Sequence, residues 1–459
     1  MSPDSDTIAA IATPAGEGGV GMIRVSGPDT LSAGQPNLTE DSFELKPRHS
    51  TLCGFKQQNS NDILDRGLVT YYPEPDSYTG EDVLELACHG SPLLLQTLLE
   101  DLTSRDSVRL AEPGEFTRRA FENGKLDLAQ ADAVASLISA RSEAALRSSA
   151  RQLEGELSQV VEDLRDTLIY CRSRIEAGLD FSDEDSVGAI PFDDIEDRLR
   201  NVQSRIEDLI AEGQRGQLLE QGCRTALVGR PNVGKSSLMN QLLRSDRAIV
   251  TSQPGTTRDV ITDQIDINGI PFQLHDTAGI HDEPDEIEAE GVRRSKSTLE
   301  DADLILFMLN GHDGLTDADR NIAELIQGFP TITVVNKNDL EQTLSDRHVQ
   351  DTLELEPDCR ISARTGEGLE ELKQLMTTRL MGDEVTIENP LVTQTRHVQA
   401  LEDCLENLNR ALKGIDQDLD PTLIAQDLHE ASDASARITG QITTDDLLDR
   451  IFSTFCIGK

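Results

Sequence analysis

Gly229-Arg-Pro-Asn-Val-Gly234-Lys235-Ser236 is a loop of the pattern GxxxxGK[ST], with an apolar segment, Thr225–Val228, before it and a helical pattern after it. In that context the loop has a specific chemistry. Glycines let backbone N–H groups curl round a phosphate, and the N-terminus of the next helix adds positive potential. Asn232, Val233, Gly234, Lys235, Ser236 and Ser237 are the candidate phosphate contacts. Lys235 would reach the β- and γ-phosphates, and Ser236 would hold Mg²⁺. The loop alone does not choose between ATP and GTP.

Further segments choose guanine. Asp276-Thr277-Ala278-Gly279 places an acid at a strand end, suited to a water-mediated Mg²⁺ contact, and a glycine where the γ-phosphate approaches. Asn336-Lys337-x-Asp339 closes the apolar run TVV. A carboxylate at Asp339 can accept from guanine N1–H and the 2-amino group, a donor pair that adenine lacks. Ser362-Ala363-Arg364 has the form of a loop whose backbone meets guanine O6, and Gly255-Thr256-Thr257-Arg258-Asp259 that of a switch loop with Thr257 closing on Mg²⁺. Each is weak alone; together, in this order, they predict GTP as the nucleotide. One feature departs from Ras-like enzymes, where a Gln directly after the DTAG-type motif orients the attacking water. Here that position is Ile280, so water must be held by another group; the acidic stretch Asp282–Glu288 offers several carboxylates, and spacing does not select one. Arg258, Arg293 and Arg294 read as surface charges as readily as fingers.

These loops need a scaffold. The chain has 459 residues, enough for about three domains at roughly 150 residues each. It carries 84 acidic against 42 basic side chains, a net charge of -42. That excludes nucleic-acid binding by a diffuse basic surface, because such binding comes from neutralising phosphates. RNA contact must be local or supplied by a partner. The excess also fits solvation in a salty cytoplasm: unfolding on dialysis to low salt would support this, and indifference to salt would refute it. The longest apolar run, Leu304–Leu309, is too short to span a membrane, and MSPDSDTIAA lacks the basic and apolar regions of a secretory signal, so a soluble cytoplasmic protein with no membrane association is expected. Seven cysteines, none in a CxxC pair, argue against a disulfide framework or a zinc site; Cys88–His89 reads as an ordinary strand end.

Apolar residues at Leu153, Leu157, Val160, Leu164, Leu168, Cys171 and Ile175 predict one long amphipathic helix; Leu199, Val202, Ile206 and Leu209 predict another. Val398, Leu401, Leu405, Leu408, Leu412 and Ile415 repeat the pattern, and a last helix is predicted over Thr444–Phe455. Helices on both sides of the nucleotide motifs imply one helical domain interrupted by an inserted α/β domain. The first part of the chain alternates β-rich pieces (Gly21–Val25, Leu68–Tyr72, Val83–Ala87) with turns and a helix near Pro92–Leu102, an α+β pattern. The expected division is an N-terminal α+β domain over 1–125, a discontinuous all-α domain over 126–221 and 381–459, and a Ras-like P-loop GTPase domain over 222–380. The tail Cys456-Ile-Gly-Lys459 is not a prenylation signal, since Gly458 is not aliphatic and Lys is not a usual last residue.

DTIAAIATPAGEGGVGMIRVSG, YTGEDVLELACHG, PGEFTRRAFENGKLDLAQADAV, the nucleotide motifs and the terminal FCIGK together closely resemble the MnmE (TrmE) family of tRNA-modification GTPases, over the whole chain. The resemblance implies a folate-binding and dimerising N-terminal domain, and action with the flavoprotein MnmG, which supplies FAD and much of the tRNA contact. The pair would add an aminomethyl-type group, such as carboxymethylaminomethyl, to C5 of the wobble uridine of certain tRNAs. The one-carbon donor would be a tetrahydrofolate such as 5-formyltetrahydrofolate. By resemblance the folate contacts fall on Arg24, Glu85 and Lys125 with Lys459 beside them, and a cysteine implicated in the modification falls on Cys456. The family neutralises charge with K⁺, which maps to Asn232, Thr251, Gln253 and Thr256; Ser252 and Pro254 complete the loop, and the water-orienting carboxylate falls on Glu288. The cation site is completed as two GTPase domains pair across a homodimer.

Two other readings share the GTPase core: a ribosome-assembly factor, and a switch held by effectors. The N-terminal segments and the Cys456 tail disfavour the first; Ile280 and the tail disfavour the second. Copurification separates them: a yellow flavoprotein, ribosomal subunits, or neither.

Overall fold

The computed structural model describes residues 6–39, 45–58, 60, 62–180, 190–245, 263–276, 299, 302–381 and 390–459. The chain divides into two compact units, Met1–Ala135 with Gln152–Leu199 and Glu406–Lys459, and Ser136–Arg151 with Arg200–Leu405.

In the first unit, β1 (Thr7–Ile11), β2 (Gly18–Ser26), β3 (Thr51–Phe55), β4 (Asp65–Tyr72), β5 (Val83–Gly90) and β6 (Val108–Leu110) form one sheet in the order β3-β4-β5-β2-β1-β6. Only β1 and β6 pair in parallel. Alternation along β5 puts Leu84, Leu86 and Cys88 on the buried face, where they meet Leu95, Leu98 and Leu102 of α2 (Pro92–Thr103). The short α1 (Thr30–Gly34) packs on the same core. On the other face Glu85 stands opposite Arg24 of β2.

Four helices follow: α3 (Glu115–Glu122), α4 (Leu128–Ser139), α5 (Glu143–Leu153) and α6 (Glu156–Asp180). The stripe expected as one helix from Leu153 to Ile175 is therefore split. Gly155 sits at φ +88, a left-handed conformation that ends α5, and α6 then starts afresh at Glu156. Its buried face uses Val161 where periodicity had pointed to Val160. The long α7 (Phe192–Gln221) carries Leu199, Val202, Ile206 and Leu209 as expected, all buried.

The second unit holds β7 (Cys223–Val228), α8 (Lys235–Ser245), β8 (Asp263–Ile267), β9 (Ile270–Asp276), β10 (Leu304–Asn310), α9 (Asp317–Leu325), β11 (Thr331–Asn336), α10 (Asp346–Leu353), β12 (Cys359–Arg360) and α11 (Leu369–Met381). The sheet order is β12-β11-β10-β7-β9-β8, parallel throughout except β8 against β9. Every residue of β10 is buried, as a central parallel strand covered on both faces requires. The two faces carry separate cores, one around Leu227, Leu306 and Val334, the other around Val228, Phe307 and Val335.

Three helices close the chain: α12 (Thr395–Asp416), α13 (Pro421–Thr439) and α14 (Asp445–Phe452). On α12 it is Cys404 and Ala411 that are buried, while Leu405 and Ile415 are half-exposed. α13, which packs along α6, was not anticipated. Its buried face is mostly Ala and Ser, so no strong apolar stripe marks it. Its ends are marked: Asp420 caps Thr422 N at 2.9 Å, Pro421 opens the helix, and Gly440 closes it at φ +80. The last helix is shorter than expected, with Thr444 as its cap and Asp445 and Asp446 in its first turn. No helix among the described residues is long and apolar enough to cross a membrane.

Candidate functional sites

The glycine loop sits between β7 and α8, at the C-terminal edge of the parallel sheet, where open α/β sheets bind ligands. Its backbone explains its residues. Gly229 has φ +154, and a Cβ there would stand 2.6 Å from the Met308 carbonyl oxygen. Gly234 has φ +105, and Asn232, at φ +65, tolerates the left-handed region as few other residues do. Val233 is fully buried and pins the loop to the core, while Asn232, Ser236 and Ser237 are exposed. Lys235 is buried, its Nζ donating to the carbonyls of Gly229 at 2.6 Å and Arg230 at 3.2 Å.

The strand β11 ends at Asn336, a buried side chain with both amide atoms engaged. Its Nδ2 donates to the Val233 carbonyl at 2.7 Å, and its Oδ1 accepts from Ala363 N–H at 2.9 Å. One side chain thus ties the phosphate loop to both base-side loops. Asp339 Oδ1 accepts from the buried Ser362 hydroxyl at 2.8 Å, and Arg364 lies 3.6 Å from its Oδ2. A carboxylate has about four acceptor positions, so Asp339 keeps capacity for the two donors of a guanine. Lys337, at φ +69, holds its Nζ 3.9 Å from Asp313. A further brace had no sequence signature: Arg230 donates to the Gly314 carbonyl at 3.0 Å and pairs with buried Asp319 at 3.3 Å. It fastens the phosphate loop to the start of α9.

Asp276 ends β9, its backbone paired with Leu227. Its side chain, Thr251, Ser252, Gln253, Pro254, Gly255, Thr256 and Thr257, the segment Thr277–Ile280, Glu288 with its acidic neighbours, and Arg258, Arg293 and Arg294 lie outside the described residues.

A second constellation lies in the first unit. Arg24 donates from Nε and Nη2 to Glu85 Oε1, at 3.0 and 2.8 Å, and from Nη1 to the Gly458 carbonyl at 3.3 Å. The tail reaches this point by pairing Ile457 with Pro113 and by accepting a 3.5 Å bond from Gly114 N–H at the Cys456 carbonyl. Gly458 has φ +93, and a Cβ there would sit 2.5 Å from the Ile11 carbonyl oxygen, so only glycine fits. Lys459 is half-buried; burial, and then the positive charge of Arg24, push its amine below the ordinary lysine value. Cys456 is exposed, the other six cysteines buried. Tyr72 is pushed above the usual phenol value by burial and then by the Glu85 charge. Lys125 is exposed and lies against the Gly80 turn, where a Cβ would meet its side chain at 3.3 Å. The sequence-predicted Arg24, Glu85 and Lys459 therefore converge.

Two contacts there went unforeseen: Tyr78 and Phe116, whose ring centroids lie 5.6 and 5.7 Å from the Arg24 guanidinium carbon. Cys88 and His89 stay apart from this cluster. The Cys88 thiol donates to Gly21 and burial pushes it up to about 11, while His89 pairs with Asp65 at 2.8 Å.

A parallel sheet with a GxxxxGKS loop at its C-terminal edge, braced to Asn336-Lys-x-Asp339, defines a P-loop GTPase. Comparison with known proteins goes further. Residues 7–125 match the model of the GTP-binding protein TrmE N-terminus, and residues 128–456 that of the MnmE helical domain. The tRNA modification GTPase MnmE of Nitrosococcus oceani is 43% identical, covering 99% of this chain and 97% of its own. That of Aquifex aeolicus is 42% identical over 99% and 100%, and that of Natranaerobius thermophilus 40% identical over 99% of each. The chain belongs to the MnmE/TrmE family of tRNA modification GTPases.

Proposed function

We propose that this protein uses GTP hydrolysis in tRNA modification, acting with the flavoprotein MnmG to add a (carboxymethyl)aminomethyl group at C5 of the wobble uridine, with a tetrahydrofolate as one-carbon donor. The observation that carries the reading is the Arg24–Glu85 pair closed by a tail bearing the exposed Cys456, in a chain that also holds a nucleotide site. An assembly factor or an effector-held switch has no use for that constellation.

The division of labour follows the domains proposed for 1–125, 126–221 with 381–459, and 222–380. At the nucleotide, N–H groups of the loop and Lys235 hold the phosphates. Lys235 exchanges its carbonyl partners for phosphate oxygens, and Asp339 selects guanine. Ser236, exposed in the first turn of α8, suits Mg²⁺ together with Thr257. Asn232, exposed at the loop's tip, suits K⁺ with Thr251, Gln253 and Thr256. The two cations neutralise charge on the phosphate oxygens when bound. Glu288 orients the attacking water in place of the glutamine that Ile280 replaces. In the N-terminal domain Arg24, Lys459 and Lys125 present positive charge to the glutamyl tail of 5-formyltetrahydrofolate, and Glu85 holds Arg24 for it. Two chains form the homodimer that pairs the GTPase domains, and MnmG carries most of the tRNA contact, which suits a net charge of -42.

The test is nucleoside analysis of tRNA from a bacterial strain lacking its own relative and supplied with this chain. Wild type restores the modified wobble uridine, while Lys235→Ala and Cys456→Ser do not. Restoration by Cys456→Ser at wild-type level removes the thiol from the chemistry, and failure of wild type in the presence of a compatible MnmG contradicts the function. Exchanging NaCl for KCl at equal ionic strength accelerates GTP hydrolysis if the K⁺ assignment holds; equal rates exclude it.

A further inference from the structure

Arg24 carries five N–H donors, as every guanidinium does. Glu85 takes two and the Gly458 carbonyl one. The remaining two have no partner among the described residues, and two N–H groups on one planar group suit a carboxylate. Such a fork is useful only if its plane is held. Glu85, through a single oxygen, and the Gly458 carbonyl hold the edge of the guanidinium, and what covers its faces sets how far the plane can tilt.

The rings supply what Glu85 does not. Tyr78 and Phe116 both lie within cation–π distance of Arg24. Phe116 is fully buried, whereas Tyr78 is 36% exposed, at the rim of the site. Nonetheless Tyr78 is firmly anchored. Its hydroxyl shares a 2.9 Å hydrogen bond with the buried Thr117 hydroxyl. The turn that carries it is pinned on three sides: Ser26 bonds to Thr79 and Glu81 at 2.7 Å each, Asn123 donates to the Thr79 carbonyl at 2.7 Å, and Arg119 pairs with Glu81 at 3.2 Å. A partly exposed aromatic fixed at its hydroxyl, at its turn and against a cation is placed for more than packing.

We propose that Tyr78 is a positioning residue for ligand recognition: it holds the guanidinium plane of Arg24 so that its two free N–H groups face a carboxylate of the incoming one-carbon carrier. The inference rests on the folate reading above and deepens it. Tyr78 acts through Arg24, so its effect is confined to ligands that bring the carboxylate.

The test is equilibrium binding to the full-length chain of two probes, 5-formyltetrahydrofolate and 5-formyl-6-methyltetrahydropterin, which has the same pterin and no carboxylate. Proteins compared are wild type, Tyr78→Phe, Tyr78→Leu and Tyr78→Met. Tyr78→Phe, which keeps the ring, stays within about threefold of wild type for both probes, the loss of one neutral hydrogen bond at most. Tyr78→Leu binds the glutamate-bearing probe about tenfold more weakly, as loss of a desolvated cation–π contact implies, and binds the carboxylate-free pterin as wild type does. Tyr78→Met gives the same comparison should the leucine variant fold poorly. Equal binding of both probes by wild type and the ring-less variants overturns the proposal, as does an equal loss for both probes. Wild type that binds neither probe overturns the folate reading, and the proposal with it.

Discussion

A Cβ placed on Gly234 would stand 2.2 Å from the side-chain nitrogen of Asn336, so the phosphate loop and the base-recognition strand touch at a point where no larger residue fits. The same nitrogen donates to the Val233 carbonyl, and the amide oxygen takes the Ala363 N–H. On the nucleotide reading proposed for these loops, phosphate and base recognition are one unit through Asn336. Asn336→Ala removes both bonds and leaves buried backbone groups unpaired, at a cost of about 3 kcal/mol. Affinity for GTP and GDP should fall together by roughly a hundredfold, measured by competition with a fluorescent guanine nucleotide. Loss of GTP affinity with GDP affinity intact would contradict this coupling.

Asp339 is held at one oxygen by Ser362, which orients the rest of its carboxylate. Asp339→Asn replaces an acceptor by a donor and leaves guanine N1–H facing N–H. GTP affinity should fall by about 2 kcal/mol or more. Xanthosine triphosphate, with a carbonyl where guanine has its amino group, should bind the variant more tightly than wild type. A variant that still prefers GTP would place base recognition elsewhere.

Acid stability has an identifiable source in the N-terminal domain. Burial alone would raise the Glu115 carboxyl, but bonds from Arg109, the Glu112 N–H and Arg119 outweigh it and hold the group below its ordinary value of 4.5. Asp6 is likewise lowered against burial by Arg109 and Arg119. A depressed folded-state pKa contributes stability above the unfolded value, and this is lost as pH falls through the folded value. The domain should therefore weaken progressively below about pH 4.5. Glu115→Gln, leaving Arg119 short of a partner, should cost about 3 kcal/mol at pH 7 and flatten the acid slope. Denaturant unfolding at pH 7 and in the acid range checks both; parallel wild-type and variant curves would remove Glu115 from this role.

The tail's docking depends on Gly458, whose φ of +93 and contact with Ile11 admit no side chain. Gly458→Ala should free the tail, withdraw a partner from Arg24 and carry Lys459 and Cys456 away. Folate binding and wobble-uridine modification should fall at least severalfold, while guanine-nucleotide affinity stays unchanged. Full modification by this variant would show that docking is dispensable.

What could be read from the sequence followed from how each feature is encoded. The nucleotide loops are contiguous, and their residues are dictated by backbone geometry: φ +105 at Gly234, φ +65 at Asn232. Spacing therefore revealed them. Arg24 and Glu85, 61 residues apart, come side by side through the pairing of β2 with β5, and it is resemblance, not spacing, that singles them out. Tyr78, Phe116 and Thr117 had no such cue, because a ring over a guanidinium needs three segments folded together. Helix α13 was invisible because Ala and Ser on its buried face mimic a polar stretch. Leu153 to Ile175 misled because apolar periodicity ran on through Gly155, where the backbone does not.

Binding of a one-carbon carrier where Arg24, Glu85 and the tail meet can be measured by titrating 5-formyltetrahydrofolate into the full-length protein, wild type beside Arg24→Ala. Saturable binding that weakens at least tenfold in the variant is expected, in line with the loss of a charged hydrogen-bonding partner. Equal binding in the two proteins, or none by folded wild type, would contradict it.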